Sequence, residues 1–208
     1  KLTIDEIAER LAVSRSTVYH WVRHLPIERK LNPGQELAVK TMQEKFRKLR
    51  ADAYAKGVAE FPALCGDPTF RDFICMYIGE GTKRMRNTVA ICNSDPAVVA
   101  LGARWITKLS NRKISYCLHY HADQDLVELV RFWALHLDVS HELISLHGKS
   151  NSNRLSGRTW RCIHGVLMVR SSDTYLRSRL QAWMDIVRAE WCSTEMLPCV
   201  PDRAQSAL

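Results

Sequence analysis

No stretch of this 208-residue chain is apolar for long enough to cross a bilayer, and no secretory-signal pattern is present. A membrane role is disfavoured on that ground, and the expected compartment is the cytoplasm, in association with the nucleoid. The seven cysteines, at 65, 75, 92, 117, 162, 192 and 199, are odd in number and include no C-x-x-C pair. That argues against a disulfide framework and for reduced thiols. A serine-hydrolase elbow, a phosphate-cradling glycine loop and a dinucleotide fingerprint are all missing, as are internal repeats and low-complexity tracts. Acidic charge is also short, with 22 Asp and Glu against 30 Lys and Arg, for a net charge of +8. Charge of that sign favours a polyanionic partner, nucleic acid first. The first residue is Lys1, so residues upstream of it are expected.

What the chain does contain begins in its first thirty residues. In "LTIDEIAERLAVSRSTVYHWVRHLPI", Ile4, Ile7, Ala8, Leu11, Val13, Val18, Trp21 and Val22 recur at helical spacing. Asp5 and Glu6 enrich the first turn of one helix, Ser14 is a natural N-cap for a second, and Pro26 closes that one. The pattern resembles the helix-turn-helix family. Ala8 fills the small-residue position where the two helices cross, and Ala12 stands where that family usually has glycine. Val13, Val18 and Trp21 match the remaining core positions. The resemblance implies that the helix from Arg15 to Leu25 lies in the major groove. Its outward residues are then Arg15, Ser16, Thr17, Tyr19, His20 and Arg23, with Ser14 at the helix start. Arg15 suits guanine or a phosphate, and Ser16 and Thr17 suit base edges or phosphates.

"ERKLNPG" then marks a boundary through its Asn-Pro-Gly turn signal. From Gln35 to about Phe61 the chain is polar and strongly helix-forming. Leu37, Met42, Phe46, Leu49 and Ala53 supply an apolar stripe, and Lys40, Lys45, Arg47, Lys48 and Arg50 supply cations. Those cations suit a phosphate backbone or a solvated connecting helix equally. Beyond "PALCGDP", helical and strand-like segments alternate. A buried helix is expected over Thr69 to Ile78 and a short strand over Thr88 to Cys92. A helix in "DPAVVALGARWITKL" has Pro96 in its first turn. "KISYCLHYH" alternates as a strand, with Cys117, His119 and His121 on one face and Tyr116, Leu118 and Tyr120 on the other. "DQDLVELVRFWALHL" reads as an amphipathic helix, "ELISLHG" and "RCIHGVLMVR" as strands, and "TYLRSRLQAWMDIVRAEW" as a last helix. Trp105, Trp133 and Trp183 fall at core positions. The fold class is α+β. The expected divisions are a helix-turn-helix over 1–31, a helical linker over 32–66, a mixed α/β domain over 67–192 and a tail over 193–208.

The apolar run "FICMYIGEG" (Phe73 to Gly81) resembles the motif of the LAGLIDADG family, an apolar helix ending in Gly-Asp/Glu-Gly. Glu80 takes the acidic position and Gly81 that of the final glycine. The elements that follow resemble the family's α-β-β-α-β-β-α unit with an antiparallel sheet, its first strand nearly absent. In LAGLIDADG homing endonucleases two such helices pack together, and the acid of each binds a divalent cation at the scissile phosphates. A hard cation prefers carboxylate oxygen and polarises a phosphoryl oxygen. One motif per chain implies a homodimer. The family also has non-cleaving members. One actinobacterial family of sporulation regulators joins a LAGLIDADG-like domain to a helix-turn-helix, in the reverse of the order found here.

Two further basic groups complete the candidates for DNA contact. Lys83, Arg84 and Arg86 follow Glu80, and "GKSNSNRLSGRTWR" carries Lys149, Arg154 and Arg158 without any acid. The leading expectation is a dimeric, sequence-specific double-stranded-DNA-binding protein. It would serve as a transcriptional regulator or site-organising factor of phage or mobile-element type, with no cofactor. The alternative is a Mg²⁺-dependent LAGLIDADG-type endonuclease using Glu80 from each of two subunits. A weaker option is an accessory recombination factor that binds DNA without chemistry.

Overall fold

The structure, a computed structural model, describes residues 2–25, 32–121, 123–149 and 162–193. By internal packing the chain divides into two compact units, Lys1–Glu44 and Lys45–Leu208.

The first unit opens with two eight-residue helices, α1 (Ile4–Leu11) and α2 (Arg15–Val22). Thr3 and Glu6 form a reciprocal capping box. The Glu6 carboxylate accepts from the Thr3 N–H at 2.7 Å, and the Thr3 hydroxyl accepts from the Glu6 N–H at 3.2 Å. Helix α1 ends at Ala12, which is left-handed with φ of 50°. This is the conformation for which glycine is usual, so Ala12 carries local strain. Ser14 then caps α2 by accepting the Thr17 N–H at 3.1 Å.

The crossing of the two helices buries Ala8 and Val18, as the helix-turn-helix spacing requires. Trp21 departs from its expected core position and is 58% exposed. Two short helices share one stripe of contact, which Ala8 and Val18 occupy. Among the described residues no third layer in this unit covers an indole one turn further on. The second helix is also shorter than expected, ending at Val22 with Arg23 as its cap. Pro26 lies outside the described residues.

Helix α3 runs from Pro33 to Leu64. In its second half Ala53, Gly57 and Phe61 recur every four residues and are buried. Upstream, Leu37, Met42 and Phe46 of the same helix are exposed. The backbone at Gly57 comes close to helix α7 (Thr174–Ser193), whose Trp183 donates its indole N–H to the Gly57 carbonyl at 2.9 Å. A Cβ on Gly57 would stand 2.9 Å from the Arg179 carbonyl oxygen.

The second unit continues through α4 (Pro68–Glu80), β1 (Val89–Asn93), α5 (Pro96–Leu109), β2 (Ile114–Tyr120) and α6 (Leu126–Leu137). A 3-10 turn at His141–Leu143 leads to β3 (Ile144–Gly148), then β4 (Val166–Ser171) and α7. Aspartates 67, 95 and 125 cap α4, α5 and α6, and proline stands in the first turn of α4 and α5. The α+β class holds.

The strands form one sheet in the order β1-β4-β2-β3. β4 pairs antiparallel with β1 and with β2, while β2 and β3 are parallel. The expectation of an antiparallel sheet is corrected at that pair. Helix α6 carries the chain back across the sheet, and such a crossover makes successive strands parallel. β4 also starts later than the expected "RCIHGVLMVR", because Gly165 turns at φ of 66°. Arg161 lies outside the described residues. The first strand after the motif is reduced to a single antiparallel bridge, Gly81 to Ile91.

One sheet face builds the core. Val89, Ile91, Tyr116, Leu118, Ile144, Leu167 and Val169 pack against Phe70, Phe73, Trp105, Trp133, Leu180 and Trp183 from the helices. Trp105, Trp133 and Trp183 are fully buried, as their spacing predicts. The helices therefore cover one side of the sheet and leave the other open.

Candidate nucleic-acid interface

The first group of candidates sits on α2. Its N-terminal hydroxyls form a local network: Ser14 Oγ lies 2.8 Å from both Ser16 Oγ and Thr17 Oγ1. Arg15 donates to Asp5 of α1 at 2.8 Å, but both side chains are more than 70% exposed. A pair so solvated is worth little and yields readily to a phosphate or base edge. Tyr19 and His20 are exposed and meet edge to face, with ring centroids 6.0 Å apart. Arg23 is exposed, and its Nε lies 3.0 Å from His24 Nε2. The first turn of α2 thus presents one cation and several hydroxyls to solvent. Groups of this kind have the chemistry to hold phosphates or base edges.

The second group surrounds Glu80. This residue closes α4 and is exposed, its carboxylate accepting from Asn93 Nδ2 at 3.4 Å. A carboxylate at a helix C-terminus meets the negative end of the macrodipole. Lys83 offsets it by donating its ammonium to the Ile78 carbonyl at 2.6 Å and the Gly79 carbonyl at 3.2 Å. Its own carbonyl accepts from the buried Arg177 at 3.1 Å. Lys83 is thereby committed to ending α4, and Arg84 and Arg86 beyond it are exposed. Among the described residues no three His, Cys, Asp or Glu side chains gather to hold a metal ion. Asn93 Oδ1 is occupied by the Ser94 and Asp95 N–H groups at 2.7 and 2.9 Å. Among the described residues the donors around Glu80 within one chain therefore do not fit a Mg²⁺ site.

The third group lies on the open face of the sheet. Strand register places Cys92, Met168, Arg170, Ser115, Cys117, His119, Ser145 and His147 on this side. These strand positions carry no carboxylate. Lys149 follows β3 directly, its N–H bonded to the Tyr120 carbonyl at 3.0 Å. Burial holds the His119 imidazole below its ordinary range, and His147 and Lys149 add to that effect. The His119 and His147 rings lie 5.9 Å apart, and Cys117 Sγ is 3.9 Å from His119 Nε2. Arg154 and Arg158 lie outside the described residues.

The structure brings Ser14, Arg15, Ser16 and Thr17 together and sets Lys149 at the edge of the open sheet face. Arg170, Ser115, Ser145 and His147 join this face only through strand register. The alternation in "VLMVRS" separates Met168 and Arg170 from Leu167 and Val169, but only strand register shows which residues share their face.

A homeodomain-like domain family matches residues 1–25. No curated protein matches the chain. No solved structure matches it either. The matched segment covers both helices, the left-handed turn at Ala12 and the capped start of α2. Residues 1–25 are thus similar to a homeodomain-like helix-turn-helix domain, which suggests DNA binding. No helix among the described residues is long and apolar enough to cross a membrane.

Proposed function

We propose that this chain is a sequence-specific double-stranded-DNA-binding protein, a transcriptional regulator or DNA-site-organising factor of phage or mobile-element type. It works as a homodimer in the cytoplasm, at the nucleoid. The observation that carries this reading is the homeodomain-like match over residues 1–25, on a helix pair whose second member exposes Arg15, Tyr19, His20 and Arg23. In this reading residues 1–31 select the sequence and 32–66 connect. Residues 67–192 form a LAGLIDADG-like dimerisation domain whose open sheet face supplies a second DNA surface, and 193–208 are a tail. The LAGLIDADG likeness rests on the Phe73–Gly81 motif, and the chain order departs from that family's unit by α6 and the parallel edge strand β3.

The reading is tested by fluorescence anisotropy with selected and scrambled duplexes. Replacing Arg15 and Ser16 by alanine should cost about 1–3 kcal/mol of discrimination, the worth of one good base contact. Binding to scrambled duplex should weaken far less. Equal preference in the variant and the parent would overturn the assignment of α2 as the recognition helix. The endonuclease alternative rests on Glu80, which is exposed but is a single carboxylate per chain, so it requires a pair of subunits. Duplex cutting in Mg²⁺ that disappears in Glu80→Gln would establish it over a purely regulatory role.

A further inference from the structure

We propose that the groove between α3 and the start of α7 grips the sugar-phosphate backbone of duplex DNA. This rests on the DNA-binding reading and adds a contact in the second unit, separate from the recognition helix and from the open sheet face. The groove has a volume of about 290 Å³ and is lined by Lys45, Lys48, Leu49, Asp52 and Tyr175. Lys45, Lys48 and Asp52 are exposed, and Leu49 and Tyr175 are half-buried. Lys45, Lys48, Asp52 and Lys56 recur every three or four residues, so α3 presents them along one side. That side flanks the buried stripe of Ala53, Gly57 and Phe61.

Three observations favour a polyanion. Among the described residues neither Lys45 nor Lys48 makes a salt bridge. Lys56 sits 5.7 Å from the centroid of the Tyr175 ring, which places a third cation against the same wall. Asp52 is the one carboxylate among the lining residues. The nearby Glu60 does not add to the negative charge, because it is paired with Arg179.

The groove also sits beside another basic segment. Ser110 donates to Asp173, just before α7, at 2.9 Å, and thereby ties the loop carrying the exposed Arg112 and Lys113 to the start of that helix. Leu49 and Tyr175 give an apolar floor, which suits deoxyribose, while the lysines face phosphates. Contacts of this kind carry no sequence information, and they complement a recognition helix that does.

The test compares the full chain with Lys45→Gln/Lys48→Gln and with Asp52→Asn, measuring affinity for selected and scrambled duplexes from 50 to 300 mM salt. Each phosphate contact contributes about 0.9 to the slope of log K against log salt. The double variant should lose about 2 from that slope, and roughly tenfold in affinity per lysine near 0.1 M salt, equally for both duplexes. Asp52→Asn should tighten binding to both, a gain that misfolding does not produce. An unchanged slope and affinity in the double variant would overturn the groove proposal while leaving DNA binding by the helix-turn-helix intact. Failure of the parent chain to bind either duplex would overturn the DNA-binding reading, and this proposal with it. Loss confined to the selected duplex would also refute the groove, since it would assign the lysines to base readout.

Discussion

The two glycines flanking Glu80 are predicted to respond to the same substitution with opposite signs. Gly81 is the cap of α4, with φ of −74° and ψ of 153°, a conformation open to any residue. The constraint there is steric. A Cβ at this position would stand 2.5 Å from Cγ and Cδ1 of Tyr77, about 1 Å inside ordinary contact. Tyr77 is fully buried, and its hydroxyl donates to the Thr82 carbonyl at 2.8 Å and accepts the Ala90 N–H at 3.3 Å. The ring cannot retreat without loosening both bonds, each worth about 0.5–1.5 kcal/mol net. Overpacking of this kind costs about 1–3 kcal/mol, and Gly81→Ala should fall toward the upper end of that range. Gly79 lies within α4, and a Cβ there meets nothing within 4 Å. Gly79→Ala should therefore stabilise by about 0.5–1 kcal/mol through helix propensity and the smaller entropy of the unfolded chain. Urea unfolding followed by tryptophan fluorescence reads both, because Trp105, Trp133 and Trp183 are fully buried in this unit. An unchanged midpoint for Gly81→Ala, or a concentration-independent loss for Gly79→Ala, would refute the reasoning. In a homodimer that packs α4 on α4, the Gly79 methyl would enter the interface, and a loss that grows with protein concentration would mark that pair.

Four other outcomes follow from the same structure. Ser14→Ala should destabilise the helix-turn-helix by about 0.5–2 kcal/mol, seen as a lower midpoint for the N-terminal unit in hydrogen exchange. Ala12→Gly should stabilise the same unit by about 0.5–1 kcal/mol, since the left-handed turn penalises an L side chain there. Gly57→Ala should cost about 1–3 kcal/mol in urea unfolding, because its methyl would press on the Arg179 backbone. The folded state holds the His119 imidazole below its ordinary range, so the unfolded chain binds that proton first. Stability should then fall as pH drops through the ordinary histidine range, and His119→Gln should flatten that part of the profile.

Much of this fold is legible in the sequence because local chemistry and tertiary packing agree. Asp67-Pro68 and Asp95-Pro96 mark helix starts, and the alternation in "ISYCLHY" gives a strand whose Tyr116 and Leu118 do enter the core. The capping box is equally legible in the Thr3…Glu6 spacing. Other features depend on what elements meet. Trp21 carries a core-type side chain at a core-type spacing, yet no described layer of its unit covers it. Leu37, Met42 and Phe46 likewise continue the pattern of Ala53 without its burial. The parallel pairing of β2 with β3 depends on the path of α6, which periodicity does not encode. The same limit applies to the candidate sites. Lys83 and Arg84 are indistinguishable as neighbouring cations in sequence, but only Lys83 reaches back to the carbonyls that end α4. Likewise Lys45 and Lys48 lie far from Tyr175 in the chain and share one groove with it only through the packing of α3 on α7.

Sequence-selective binding through α2 is tested most directly by selection of bound duplexes from a randomised pool, with the parent chain and the Arg15→Ala/Ser16→Ala variant in parallel. The parent should enrich a defined sequence over successive rounds, and the variant should bind the same pool with that enrichment lost or altered at the contacted bases. Recovery of a pool that stays random with the parent chain, or of the same enriched sequence with both proteins, would contradict it.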